Sequence, residues 1–158
     1  MPLSVDLLKH TETSLESAES EVDFRRCISS AYYAAWHAVC ESIADKFAPE
    51  LKPLLCRCPA HDKVKVCAGS LRSRKSPWFP NHELSPDMDS FCVQFIQLQK
   101  DRHNADYSLV NTFSQQDARQ AFIYSKSIVS DLIPKLISTC EYDAFVLGCI
   151  GLKPAVRD

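Results

Sequence analysis

The chain has 158 residues, of which 46% are hydrophobic and 24% are charged, and its formal net charge is −2. A chain of this length fits one domain and can bury roughly two-thirds of the surface that it exposes when unfolded. Its apolar runs are too short and too interrupted to cross a bilayer, and Met1 to Asp6 lack the pattern of a secretory signal, so we expect a cytoplasmic protein without a membrane helix.

The first half of the chain has the three- and four-residue apolar spacing of helices. A weak helix is predicted from about Leu3 to Glu19, and a long core helix is predicted from about Ser20 to Phe47. Another weak helix is expected from Pro59 to Leu71. Ser73 to Leu84 is predicted to be the longest irregular segment, because it contains several prolines and has no helical period.

The second half contains two strong helix starts and a weaker third one. Ser85 is suited to an N-cap and Pro86 to the first helical position, so a helix is predicted from there through Arg102. Ser114 to Asp117 resembles a capping box with aspartate in place of glutamate, and its helix should bend or end near Pro134. A short helix is expected around residues 142–150.

These elements predict the fold class. A chain with only three glycines, a helical apolar pattern and no strand pattern favours an all-α, antiparallel bundle of four to five helices. We take residues 1–158 as a single domain with a core at about residues 15–133 and a C-terminal cap or tail at residues 134–158.

Eight cysteines are many for a cytoplasmic chain, and three of them lie near a histidine. Cys56, Cys58, His61 and Cys67 supply four potential zinc ligands. The single residue between Cys56 and Cys58 is shorter than the usual spacing, and Cys67 is expected in the middle of a helix. We therefore favour small buried thiols over a zinc site and predict neither a metal nor a cofactor. The apolar helical pattern also places three other cysteines in the core: Cys27, Cys40 and Cys92.

Positive charge is concentrated between Arg57 and Lys75, a segment that contains six basic residues and one acidic residue. Such a segment can bind nucleic-acid phosphates or an acidic partner protein, and the alternative is a solvated helix face. The acidic net charge of the chain favours the solvated face. If the segment does bind nucleic acid, the expected contacts are Arg72, Arg74 and Lys75.

Chemistry is expected at Arg102, His103, Asp106 and Tyr107, which lie near the end of the predicted helix. Lys100, on the same helix, is a further predicted contact for nucleic acid. Attack of an RNA 2′-hydroxyl on its phosphate needs a base, an acid and positive charge on the phosphorane. Arg102 can supply the charge, and histidine titrates near neutral pH. Residues four apart on a helix differ by about 40° in direction, so Arg102 with Asp106 and His103 with Tyr107 form two neighbouring pairs.

Each of these groups also has a structural interpretation. His103 can be a surface histidine that stacks on Tyr107, and we favour Asp106 as the ion-pair partner that holds Arg102. Arg25 and Arg26 lie near the start of the long helix. They can contact phosphate, or they can be surface cations that compensate the charge of the acidic N-terminal segment.

Two segments together resemble the HEPN superfamily of small helical domains that bind nucleotides or cleave RNA. They are Arg25 to Ala38 and Arg102 to Tyr107, with a helix opening at His61 between them, and the resemblance covers roughly residues 15–133. It implies a dimeric helical bundle, often encoded as a toxin beside a nucleotidyltransferase-type antitoxin or within an antiviral system. The active members are metal-independent ribonucleases.

The family signature is an arginine, then a polar residue, then a histidine a few residues later. Arg102 and His103 match the arginine and the polar residue of this signature. Asp106 and Tyr107 occupy the positions where its histidine is expected. By resemblance, Tyr107 is also a candidate target for nucleotidylation by an antitoxin. The sequence thus predicts a HEPN-like homodimer that acts on RNA or nucleotides. It is either a toxin or defence ribonuclease with a composite site at the dimer interface or a non-catalytic binding or regulatory module.

Overall fold

The fold is all-α, as the sequence predicts, and the computed structural model of the protein describes residues 2–55, 59–79 and 83–152. No strand occurs among these residues, and none of their helices is long and apolar enough to cross a membrane. The elements are α1 Leu3–Glu16, α2 Glu21–Asp45, a 3-10 turn Pro49–Leu51, α3 Lys52–Leu55, α4 His61–Arg72, α5 Pro86–Tyr107, α6 Gln115–Ser127, a π turn Ile128–Leu132, α7 Ile133–Leu136 and α8 Cys140–Cys149.

Helix α2 lies at the centre of the molecule, and α1, α5 and α6 pack against it. The Ser4 hydroxyl, at the start of α1, donates to Glu41 near the end of α2 at 2.5 Å. The Thr11 hydroxyl donates to Ser30 at 2.9 Å. These contacts pair the start of one helix with the end of the other, so α1 and α2 are antiparallel.

Helices α4 and α5 are also antiparallel. The Gln99 amide, late in α5, donates to Asp62 at the start of α4 at 3.3 Å. Arg72, at the end of α4, donates to Asp89 early in α5 at 2.8 Å. The start of α4 therefore lies beside the C-terminal end of α5.

The core consists mainly of aromatic and aliphatic side chains from α2, α5 and α8. Phe91 and Phe95 of α5 and Tyr142 and Phe145 of α8 have no exposed surface. Burial of one such side chain contributes about 1.5–3 kcal/mol relative to leaving it in water. Helix α8, which follows the predicted core of about residues 15–133, thus also contributes to the hydrophobic core.

The predicted helix starts are confirmed by their caps. Ser20 with Asp23 and Ser114 with Asp117 each form a capping box, in which the serine hydroxyl accepts from a backbone N–H and the aspartate accepts from the serine backbone. The Ser85 hydroxyl accepts from the Met88 backbone N–H at 3.2 Å. Because each cap satisfies N–H groups that have no partner within the helix, these short local patterns determine where the helices begin.

The helix predicted to bend or end near Pro134 changes its hydrogen-bond pattern before the proline. The α-helical pattern of α6 ends at Ser127, a π turn follows at Ile128–Leu132, and Pro134 lies in the first turn of α7. Proline cannot donate the backbone hydrogen bond of an α-helix, and the π turn lies upstream of that missing bond.

Candidate functional site

Arg102 lies near the C-terminal end of α5 and faces α2. Its guanidinium donates to the Tyr33 hydroxyl at 2.9 Å, and its Nε lies 2.7 Å from Oδ2 of Asp106. Only 17% of the Arg102 side chain is exposed. The favoured role of Asp106, an ion-pair partner that holds Arg102, is thus confirmed, and Ser29 fixes Asp106 in turn by donating a hydrogen bond to it.

Three tyrosine rings surround the Arg102 guanidinium. Its central carbon lies 5.7 Å from the ring centroid of Tyr32, 5.4 Å from that of Tyr33 and 5.7 Å from that of Tyr107. Aromatic faces attract a cation and exclude water from it. Because water screens this charge less than a surface charge, Arg102 acts strongly on groups nearby.

His103 and Tyr107 form the second predicted pair. Their ring centroids are 5.2 Å apart, and both residues are exposed. Helix α5 ends at Tyr107, so the second pair lies at the helix end beside the Arg102–Asp106 pair. This agrees with the spacing argument and with the interpretation of His103 as a surface histidine stacked on Tyr107.

Arg25 holds the end of α5 in place. Its guanidinium donates twice to Glu21, at 3.0 and 2.9 Å, and to the backbone oxygens of Ala105, Ser108 and Asn111 at 2.8, 3.1 and 2.5 Å. An arginine has five N–H donors, and these contacts engage all of them. The predicted contact of Arg25 with phosphate therefore requires one of these bonds to break.

His61 belongs to the same region, although sequence reasoning considered it only as a zinc ligand and a helix start. Its Nδ1 lies 2.6 Å from the Tyr32 hydroxyl, and its ring stacks on Trp36 with the centroids 4.2 Å apart. Burial and then the positive charge of Arg102 lower the pKa of the imidazole. Burial also raises the pKa of Tyr32. The Tyr32 phenol thus stays protonated and shares this hydrogen bond with a neutral His61.

Two buried polar atoms next to His61 have no hydrogen-bond partner within the described residues. They are the indole Nε1 of Trp36 and the amide Oε1 of Gln99. The side chain of Gln99 is held near His61 because its amide nitrogen donates a hydrogen bond to Asp62, the next residue after His61. Unpaired buried polar groups are rare and occur at sites of bound water, ions or chemistry. They mark the junction of α2, α4 and α5 as the candidate site.

The basic residues at the other end of α4 lie elsewhere. Arg72 pairs with Asp89 at 2.8 Å and Arg74 pairs with Glu83 at 2.9 Å, while Lys75 is exposed. The twelve residues of α4 span about 16 Å, which separates this basic end from His61. The predicted nucleic-acid contacts therefore fall in separate regions.

Lys100 and Arg26 are exposed but point away from the guanidinium of Arg102. Lys100 precedes Arg102 by two residues, which on a helix turns its side chain by about 200°. Arg26 lines a cavity between α1 and α2 together with His10 and Asp23. Lys100 belongs to α5 itself. Among the other described cations predicted to bind nucleic acid, Arg25 is the one that contacts the C-terminal end of α5.

The structure describes two of the four candidate zinc ligands, His61 and Cys67, and they contact different helices. His61 contacts Tyr32 and Trp36 of α2, whereas the Cys67 sulfur lies against Gly148 of α8. Cys56 and Cys58 lie outside the described residues. Within residues 2–55, 59–79 and 83–152, no group of three or more histidine, cysteine or acidic side chains is placed to hold a metal.

Comparison with known proteins adds no relative: no family model, no curated protein and no solved structure matches this chain significantly.

Proposed function

We propose that this protein is a HEPN-like, metal-independent ribonuclease of the toxin or defence type that acts on RNA in the cytoplasm as a homodimer. One observation carries the proposal: a mostly buried arginine, Arg102, is held at the end of α5 by Tyr33 and Asp106, beside the exposed His103. A fixed cation next to an accessible imidazole supplies two of the groups that cleavage at a 2′-hydroxyl needs.

Each residue of the cluster has a role in this proposal. Arg102 neutralises the charge that develops on the phosphorane, and Asp106 keeps its guanidinium in position. His103 either removes the proton of the 2′-hydroxyl or donates a proton to the departing 5′-oxygen, and Tyr107 orients the phosphate through its hydroxyl. Tyr107 is also exposed enough, at 65%, for a nucleotidyltransferase-type antitoxin to modify it.

A second copy of the chain completes the site. The reaction needs both an acid and a base, whereas among the described residues His103 is the exposed histidine of this cluster. A two-fold axis beside α5 would bring the His103 of each subunit to the same phosphate. Leu109 and Val110, which follow α5, are 100% and 90% exposed, and a partner subunit would remove this apolar surface from water.

The second candidate function is a non-catalytic module that binds RNA or nucleotides. The 17% exposure of Arg102 and its ion pair with Asp106 favour it, because the guanidinium is largely covered and its charge is already compensated by a carboxylate. Both functions predict that RNA binds at the Arg102 end of α5, and they differ in cleavage.

The experiment is to incubate labelled single-stranded RNA with the purified protein in EDTA. We expect cleavage by the wild type and a loss of about 100-fold or more in both Arg102→Ala and His103→Gln. His10→Gln, which changes an exposed histidine on α1, is the matched control and should cleave like the wild type. RNA binding without cleavage by the wild type, weakened in Arg102→Ala and kept in His10→Gln, would select the binding module. Neither binding nor cleavage would reject both functions.

A further inference from the structure

Cys67 of α4 and Cys149 of α8 form a thiol pair across the contact between the two helices. The Cys67 sulfur lies 2.9 Å from the position that a Cβ on Gly148 would occupy, so it sits directly on the α8 backbone. The next residue is Cys149, whose thiol is near enough to Cys67 to change the acidity of the Cys67 thiol. Because Gly148 has no side chain, the Cys67 sulfur can lie this close to α8.

The two thiols have different environments. Cys67 is half-buried and lines a cavity of about 220 Å³ together with Lys63, Ser70 and Trp78. Cys149 is buried and only 3% exposed. A small molecule that enters the cavity therefore meets the Cys67 sulfur, whereas Cys149 does not line the cavity.

The charge state of the pair follows from this arrangement. The neighbouring Cys149 side chain lowers the pKa of the Cys67 thiol against the effect of burial, and the Lys63 ammonium lowers it further. Burial and the neighbouring Cys67 side chain raise the pKa of the Cys149 thiol well above its ordinary value. Cys67 is thus the group that ionises, and Cys149 is the neighbour that stabilises the thiolate.

We propose that Cys67 is a site of oxidation by hydrogen peroxide and that Cys149 resolves the oxidised sulfur by forming a Cys67–Cys149 disulfide. The Cys67 thiolate attacks one peroxide oxygen and the O–O bond breaks. Cys67 becomes a sulfenic acid, and the released hydroxide takes up a proton to form water. The Cys149 sulfur then attacks the Cys67 sulfur, and the S–O bond breaks. The departing hydroxide takes the Cys149 proton, so two thiols and one peroxide give one disulfide and two waters.

Other described cysteines lack this combination of access and ionisation. Burial raises the pKa of Cys27, and it raises that of Cys92 to about 12. Cys140, at the start of α8, is exposed and serves as the comparison thiol. Selective oxidation of Cys67 in the presence of Cys140 would therefore reflect its local environment rather than exposure.

The direct test uses the full chain carrying Cys56→Ser and Cys58→Ser, treated with an equimolar amount of hydrogen peroxide at neutral pH. We expect non-reducing peptide mass spectrometry to find one intramolecular Cys67–Cys149 disulfide, with Cys140 still reduced. Oxidation of Cys140 before Cys67, or absence of the 67–149 linkage after complete reaction, would overturn the proposal. This readout needs no change at either cysteine of the pair.

Two variants separate the steps. In Cys149→Ala, dimedone should label Cys67, because its sulfenic acid is no longer resolved. Lys63→Gln should slow the oxidation of Cys67 by about threefold or more at neutral pH, since the rate follows the thiolate fraction. Lys65→Gln, at an exposed position of the same helix, is the matched control and should leave the rate unchanged. Equal rates in the two lysine variants, or no dimedone label on Cys67, would contradict the proposed chemistry.

Discussion

Arginine side chains lie near both ends of α4, and the two groups have opposite environments. At the His61 end, the Arg25 and Arg102 side chains are 23% and 17% exposed and contact backbone oxygens, tyrosines and carboxylates. At the other end, Arg72 and Arg74 are 45% and 56% exposed and make surface ion pairs. A charge removed from water interacts more strongly with its neighbours than a solvated one. The denser basic segment of the sequence is therefore the one that contributes less to the fold.

The largest stability effect should distinguish two adjacent arginines. Arg25→Ala removes the donors to three backbone oxygens at the end of α5, so we expect the free energy of unfolding to fall by about 2–3 kcal/mol. Arg26→Ala changes the exposed neighbour and should cost less than about 0.5 kcal/mol. Urea denaturation measures both. Equal losses would show that Arg25 does not hold the helix end.

The next effect compares two ion pairs with the same helical spacing. Asp106→Asn breaks the half-buried pair with Arg102 and should lower the free energy of unfolding by about 1–2 kcal/mol. Asp131→Asn breaks the pair with Lys135, whose side chains are 54% and 53% exposed, and should cost about 0.5 kcal/mol or less. If the two substitutions have equal effects in urea, the Arg102 site is as solvated as the surface.

A smaller effect should appear as a dependence of stability on pH. The pKa of His61 is lowered in the folded protein from 6.5, so between its two values the unfolded chain binds more protons. The contribution of neutral His61 to the free energy of unfolding should thus be fully present above about pH 6.5. It should be lost as the pH drops through the pKa of His61 in the folded protein. Arg102 and His37 oppose protonation of His61, whereas Asp62 favours it.

The measurement is thermal unfolding between pH 7 and pH 5. His61→Gln should flatten the loss of stability on acidification, while His103→Gln, at an exposed position, should keep the wild-type slope. Burial also lowers the pKa of His37, so some slope remains in His61→Gln. An unchanged slope in His61→Gln would mean that the imidazole is not protected from protonation.

The smallest effect concerns the backbone at the basic end of α4. Arg74 has a φ of 57°, and the Lys75 N–H donates to Ser70 at 2.8 Å, which is a helix C-terminal motif that glycine favours. Arg74→Gly should raise the free energy of unfolding by about 0.5–1 kcal/mol, because glycine adopts this conformation without strain. Arg72→Gly, within the helix, should lower it by a similar amount. Destabilisation by Arg74→Gly would contradict this explanation.

Local sequence patterns predicted the features that depend on neighbouring residues. The Ser114–Asp117 capping box and the Arg102–Asp106 pair both lie within one helical turn, so spacing alone predicted them. Helix α8 was expected to be a cap, but its burial follows from apolar residues on all sides, among them Tyr142 and Phe145. A helix that is hydrophobic around its circumference is buried rather than amphipathic.

Contacts between distant segments could not be predicted in this way. Arg25 donates to a backbone oxygen 80 residues away, and a backbone acceptor leaves no trace in the amino-acid pattern. His61 reaches Tyr32 only because α4 starts beside the end of α5. Both contacts depend on how the helices pack, and no spacing along the sequence connects their residues.

The two tryptophans provide the most direct test of where RNA binds, because one lies near each end of α4. Trp36 stacks on His61, and Trp78 lies in the loop that follows Arg72. The measurement is the NMR spectrum of the two indole N–H groups of the ¹⁵N-labelled protein during titration with a single-stranded RNA oligonucleotide, with Trp78→Phe to assign the signals. Binding at the Arg102 site predicts that the Trp36 signal shifts and saturates while the Trp78 signal stays in place. A shift of the Trp78 signal alone, or of neither signal, would contradict it.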